Sequence, residues 1–207
     1  MSRILDVMNP AFRAANPDYH SADLVRKWSQ AAVAQGGDAK LVEDCILSAI
    51  SHLQRPENQL HRLDLSDTGL TLLPPTAILR QLEGITILDL SNNHLSGNEL
   101  SKLSALTSLR QLYLSDNPLQ ELPMDALNRN SRLAILEINR CGLDSFPSAL
   151  LELNYLDTLH LQGNSLSFLP DNIGYCLLHI AELDLRDTGI GKLPASLDYL
   201  NQLKVLS

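Results

Sequence analysis

The chain has 207 residues, a formal charge of −8 and only 4% aromatic residues. That length suits one or two compact domains with a core of their own, and the acidic balance argues against nucleic acid, whose phosphates are met by stripes of Lys and Arg. No apolar run approaches the ~18–20 residues that cross a bilayer, Met1–Asp6 open no secretory h-region, and three cysteines at unrelated spacings make no disulfide framework, so an acidic intracellular protein in a reducing compartment is predicted.

In chain order, residues 1–20, with Asn9-Pro10 and Asn16-Pro17, read as an irregular leader. Residues 21–58 read as a two-helix cap. Leu24, Val25, Trp28, Ala31 and Ala32 form a helical stripe, and Gly36-Gly37 break it. Asp38 then caps a second helix with Leu41, Cys45, Ile46, Ala49, Ile50 and Leu53 on one face. Pro56 ends that helix before the first strand.

From 59 to 207 one pattern takes over, and it holds most of the chain's 45 Leu and 11 Ile, where Leu is at roughly twice its ordinary share. Leu60-His-Arg-Leu63-Asp-Leu65-Ser-Asp-Thr68-Gly-Leu70 recurs at Ile85, Leu109, Leu133, Leu156 and Ile180, and a seventh copy begins at Leu203. Starts lie 23–25 residues apart, and positions 1, 4, 6 and 11 of every full copy are Leu or Ile. Position 9 reads Thr68, Asn93, Asn117, Cys141, Asn164, Thr188. Positions 14–15 read Leu-Pro or Phe-Pro, except in the second copy, where Ser96-Gly97-Asn98-Glu99 opens a short helix instead. This is a leucine-rich repeat.

The spacing carries a physical argument. Leucines at positions 4 and 6 alternate with polar residues, the period of a strand with one buried face. The Asn slot needs a small side chain that can pair loop backbone groups buried between coils, which Thr does in part and Cys141 only weakly. One copy buries too little apolar surface to offset the entropy of ordering ~24 residues, so copies must stack. The predicted fold is α/β: a right-handed, curved solenoid with a parallel concave sheet and an N-terminal helical cap. Its strands are predicted over 62–66, 87–91, 111–115, 135–139, 158–162 and 182–186.

Tyr19, Trp28 and Asp44-Cys45-Ile46-Leu47, followed by Leu63-Asp-Leu65-Ser, Gly69-Leu70 and Leu73-Pro74, resemble the head of bacterial LRR effectors of the YopM/IpaH type. The resemblance covers residues 19–75. It implies delivery by a type III system into a host cell and capture of a host protein there. In some members it also implies a C-terminal ubiquitin ligase with a catalytic Cys-x-Asp, and no Cys-x-Asp occurs in this sequence. The repeats are longer than is typical of that group, and closer to plant-pathogen effectors and to eukaryotic Ras-pathway scaffolds. Two other readings therefore stand beside the effector. One is a substrate-recognition fragment whose catalytic domain lies beyond residue 207, and the other is an intracellular scaffold.

No nucleophile–base pair, phosphate loop or metal-ligand spacing appears, so the sequence predicts neither catalysis nor a cofactor. Structural roles are predicted for Cys45, Cys141 and Cys176. What the repeat does create is a column of side chains at positions 3, 5, 7 and 8, predicted to point to the concave side. From it come the candidate partner-binding residues Asp64, Asp67, Ile87, Asp89, Gln111, Tyr113, Asp116, Ile135, Glu137, Thr158, His160, Glu182, Asp184 and Asp187. The full column holds eight acids and three bases, Arg62, Arg140 and Arg186. Bulky anchors ringed by charge are the usual anatomy of a protein-binding surface, and an acidic one predicts a protein partner with a basic patch. The seventh copy carries no covering helix, so residues 193–207 are predicted to dimerise or to dock a further domain.

Overall fold

The computed structural model describes residues 17–53, 61–123, 127 and 132–207. The leader up to residue 16, Pro56 and Leu60 lie outside them. Two helices come first, α1 at Pro17–Ala32 and α2 at Ala39–Leu53. α1 starts inside the stretch read as leader, because Pro is tolerated in a first helical turn, where its missing N–H has no partner to lose. Asp38 caps α2 as predicted, its carboxylate accepting the Leu41 N–H at 2.9 Å.

The buried stripes differ from the predicted ones by single positions. Ala31 and Leu41 are exposed, and Val42 and Glu43 face inward. Val42, Ile46, Ala49 and Ile50 keep the i, i+4, i+7, i+8 spacing of one helix face, and Leu41 lies about 100° away from it. Glu43 escapes isolation through Arg26, 3.1 Å away. Trp28 is buried and donates its indole N–H to the Leu73 carbonyl at 3.1 Å, tying the cap to the first coil. The chain leaving α1 adds a Val33–Leu70 bridge and an Ala34 N–H to Gly69 carbonyl bond of 2.8 Å.

The repeat then builds β1 (Arg62–Asp64), a short α3 (Thr76–Leu79), β2 (Ile87–Asp89), β3 (Gln111–Tyr113), β4 (Ile135–Glu137), β5 (Thr158–His160), α4 (Ile173–Cys176), β6 (Glu182–Asp184) and β7 (Val205–Leu206). The seven strands form one parallel sheet in sequence order. Position-4 leucines stay in register throughout, Leu63 on Leu88, then Leu112, Leu136, Leu159, Leu183 and Leu206. This is the leucine-rich-repeat solenoid with a helical cap. Its core runs the length of the stack, and the coil sides opposite the sheet are mostly 3₁₀ turns, such as Gly97–Ala105 and Ser148–Glu152.

The strands end two residues earlier than alternation predicts. At position 8 the chain turns with positive φ at Asp67, Asn92, Asp116, Arg140, Gly163 and Asp187, a conformation that strand pairing cannot continue through. The Asn slot works as argued: Asn93 accepts the Leu70 N–H at 2.9 Å and donates to the Leu65 and Leu90 carbonyls, both at 2.8 Å. In the copy without Leu-Pro, the Glu99 carboxylate accepts the Leu73 N–H at 2.8 Å and holds Lys102 at 2.6 Å. In the last coil, Leu193 and Leu206 are each 45% exposed, although their counterparts Leu169 and Leu183 are buried.

Candidate functional site: the exposed sheet face

Side chains at positions 3 and 5 flank each buried position-4 leucine and project from the outer face of the sheet. Parallel register sorts them into two rows. The position-3 row runs Arg62, Ile87, Gln111, Ile135, Thr158, Glu182, and the position-5 row runs Asp64, Asp89, Tyr113, Glu137, His160, Asp184. Asp64, Asp67 and Asp187 are exposed. Ile87, Asp89, Gln111, Tyr113, Asp116, Ile135, Glu137, Thr158, His160 and Glu182 are half-buried. Asp184 is buried, so it departs from the predicted set.

Three arginines answer part of the charge within the face. Arg62 reaches Asp64 at 3.0 Å and Asp89, on the next strand, at 3.1 Å. Arg140 grips Asp116 with two bonds of 2.6 and 2.7 Å, a fork that fits a carboxylate. Arg186 closes on Asp184 at 2.6 Å, and this is what removes that carboxylate from the surface. These pairs hold the Asp116 and Asp184 carboxyls below the usual carboxylate range, each chiefly through its arginine hydrogen bond. At Asp64 burial pushes the pKa up, but bonds from Ser66 and Arg62 outweigh it and the net shift is downward.

Four acids are met by partners other than arginine. Asp67 accepts from the Asn92 amide, and Asp187 from Gln162 at 3.1 Å. Glu137 and Glu182 stand on either side of His160, with Nδ1 3.7 Å from Glu137 and Nε2 3.1 Å from Glu182. One imidazole carries at most one positive charge, so two carboxylates share less than their full compensation. Tyr113 donates its hydroxyl to Gln111 at 2.9 Å. That bond leans the ring across its own strand toward the row where Ile87 and Ile135 flank Gln111. Burial, and then Glu137, raise the phenol pKa. The face thus has an apolar and aromatic centre between two acidic flanks, one at β1–β2 where Asp64 and Asp89 share the permanent charge of Arg62, and one at β4–β6 where Glu137 and Glu182 have only an imidazole between them.

The three arginines were visible in the sequence column but not as the groups that would consume its acids. Asp116 and Arg140 are one repeat length apart at the same position, which is the signal that could have paired them.

Among the described residues, no group of three or more His, Cys, Asp or Glu side chains is placed to hold a metal ion, and no helix is long and apolar enough to cross a membrane. A groove of ≈ 570 Å³ on the loop side is lined by Ser96, Gln120, Glu121, Asp144, Ser145 and Phe146 among others, with the Ser145 hydroxyl donating to the Asp144 carboxylate at 3.0 Å. Burial pushes the Cys141 thiol up to about 12, and burial, then Asp64 and Asp44, also raise Cys45. Neither is poised as a thiolate.

Comparison with known proteins agrees with the geometry. A leucine-rich-repeat family model matches residues 58–119 and a second one matches 155–176. The flightless-1 homolog of Caenorhabditis elegans is 35% identical over 109 residues, which are 52% of this chain and 8% of that protein. A Leptospira interrogans LRR protein of known structure superposes with a TM-score of 0.67 at 30% identity, over 77% of this chain and 38% of its own. The Arabidopsis receptor kinase HAESA, solved in complex with the peptide hormone IDA and a co-receptor, gives 0.67 at 25% identity, over 90% of this chain and 33% of its own. The chain therefore spans a minor part of each of these relatives.

Proposed function

We propose that this leucine-rich-repeat protein is a recognition module that binds a protein partner through its exposed sheet face, with a basic element of the partner meeting the β4–β6 flank. The observation that carries the reading is the half-buried centre of Ile87, Tyr113 and Ile135, set between charged flanks on a rigid sheet. A central cluster that loses water on contact, rimmed by polar groups, is where binding energy concentrates. The HAESA complex lends support, since it shows a related solenoid engaged with a peptide hormone. In this reading the chain itself carries no catalytic step, and its three cysteines are structural.

The motifs at residues 19–75 extend the proposal to a bacterial effector that captures a host protein, in keeping with a bacterial protein among the structural neighbours. The test is partner capture by the wild-type chain, by a Tyr113→Ala/His160→Ala variant and by a Tyr175→Ala/Tyr199→Ala variant altered on the opposite side. Loss confined to the first variant, and weakening with salt, supports the face. Loss confined to the second ends it.

A further inference from the structure

The exposed face is narrow. Each strand contributes about three residues, so the sheet is ~10 Å wide, while seven strands stacked ~4.8 Å apart make it ~29 Å long. That strip falls well short of the ~800 Å² per partner of a standard interface between folded proteins. Its dimensions match instead one extended chain lying across the strands, since nine residues at ~3.3 Å each cover the same length.

Chemistry along the strip is ordered as well. Between β2 and β4, Ile87 and Ile135 flank Gln111, to which the Tyr113 hydroxyl is bonded, leaving an apolar and aromatic seat. From β4 to β6, Glu137 and Glu182 share His160, with side chains 31% and 44% exposed. At the β1–β2 end Asp64 and Asp89 share Arg62, a guanidinium that is always charged. The two sides of the seat therefore differ in their counter-ion, a permanent cation at β1–β2 against an imidazole at β4–β6. The centre of the carboxylate pair, at His160, lies two strands from Tyr113, or ~10 Å. In an extended chain, residues on one face recur every ~6.6 Å, so positions two and four away bracket that distance.

Resting on the proposal that the sheet face is the binding surface, we infer that it takes an extended peptide segment with two determinants. A bulky apolar side chain sits at Ile87–Tyr113–Ile135, and a lysine or arginine two to four residues away sits between Glu137 and Glu182. The cation replaces the imidazole as the partner of at least one glutamate and completes the charge balance that His160 leaves unfinished. Acidic segments are rejected by the same pair.

A random nonapeptide library displayed on phage and panned on the full chain tests this. Selected peptides are then synthesised and titrated by fluorescence anisotropy against the wild type, Tyr113→Ala, Glu137→Gln/Glu182→Gln and Tyr175→Ala, each checked for an unchanged circular dichroism spectrum. The expected result is enrichment of an apolar and a basic residue at that spacing. Affinity should fall at least tenfold for Tyr113→Ala and for the double glutamine variant, and stay unchanged for Tyr175→Ala. Neutralising the peptide's basic residue should weaken binding to the wild type at least tenfold and to the double variant hardly at all, since the two changes remove one interaction. Peptides that need Tyr113 but have no basic residue, or ignore the glutamates, overturn this inference and leave the face reading intact. So does a library that yields no binder. Peptides that ignore Tyr113 and need Tyr175 overturn the face reading itself.

Discussion

Cys141 occupies the slot that asparagine fills in three of the other copies, and replacing it by Asn should stabilise the protein. Asn164 shows what the slot does when it is filled: its amide nitrogen donates to the Ile138 and Leu161 carbonyls at 2.8 and 2.7 Å, and its oxygen accepts the Cys141 and Leu143 N–H groups at 3.0 and 3.1 Å. Transposed one coil back, an asparagine at 141 would donate to Leu114 and Ile138 and accept from the Asn117 and Leu119 amides. Cys141 offers weak sulfur contacts instead, at 3.4 Å to the Leu114 and Asn139 carbonyls and with the Asn117 and Asp116 backbone N–H groups, while Leu119 turns its N–H to the Asn117 carbonyl at 2.8 Å. The substitution replaces weak S–H contacts with roughly two good hydrogen bonds, each worth about 0.5–1.5 kcal/mol net. Reopening the turn at Leu119 offsets part of that, so a gain of about 1–2 kcal/mol is expected. At this chain length each kcal/mol moves Tm by ~2–4 °C. Thermal and urea melts of Cys141→Asn, with Cys141→Ala as the control for lost volume, measure it, and hydrogen exchange at the Asn117 amide reports the local bond. An Asn variant no more stable than the wild type, with Asn117 unprotected, would refute the slot argument.

Trp28→Ala should cost about 3–5 kcal/mol, because the ring is buried and its N–H bond to Leu73 is lost with it; a chemical melt that does not move would mean the two helices are no seal. Gly174→Ala should be severely destabilising, since a Cβ there would lie 1.7 Å from the Ser196 carbonyl oxygen, whereas Gly191→Ala meets nothing within 4 Å and should leave Tm nearly unchanged. Asp116 has a folded-state pKa below its ordinary 3.8 because Arg140 bonds the charged form. It therefore adds stability above about pH 4 that is lost as pH falls through the folded value, and Asp116→Asn should flatten the stability profile below pH 4 in urea titrations. The Cys141 thiol, pushed up to about 12 by burial, should resist a disulfide reagent at pH 8 until the protein is unfolded, which a timed thiol assay checks.

The framework was legible because the repeat writes each structural demand six times over. Leu at positions 1, 4, 6 and 11 fixes which side chains are inside whatever any one coil does locally, and the Asn slot announces a buried backbone that needs partners. Strand ends were read too far along. Alternation continues through Leu65 and Ser66, yet the turn is set by backbone conformation at position 8, where Asp, Asn and Gly predominate in the sequence. Those residue types tolerate the left-handed region and were the available signal. Arg140 at the same place is neither Asn, Asp nor Gly, and its bidentate grip on Asp116 supplies the compensating contact. The phase of α2 was misjudged for a different reason: Leu41 and Val42 are both apolar, and periodicity alone does not say which of two adjacent apolar residues faces the coil.

The site was legible as a column and illegible as an electrostatic surface. A sequence column counts charges, whereas a sheet pairs them sideways, and the sideways neighbour of a residue is one repeat away in the chain. Once that step is taken, the eight acids divide. Asp116 and Asp184 each have an arginine and Asp64 and Asp89 share Arg62, so their availability to a partner's cation is reduced by bonds already made. Glu137 and Glu182 compete for one imidazole, and they lie beside the apolar seat rather than across the face from it. A uniformly acidic stripe would attract any basic surface through long-range forces that salt screens within ~8–10 Å. A seat with a carboxylate pair beside it that only an imidazole bridges asks for a particular order of side chains in what it binds, and such order is a source of specificity that net charge does not supply.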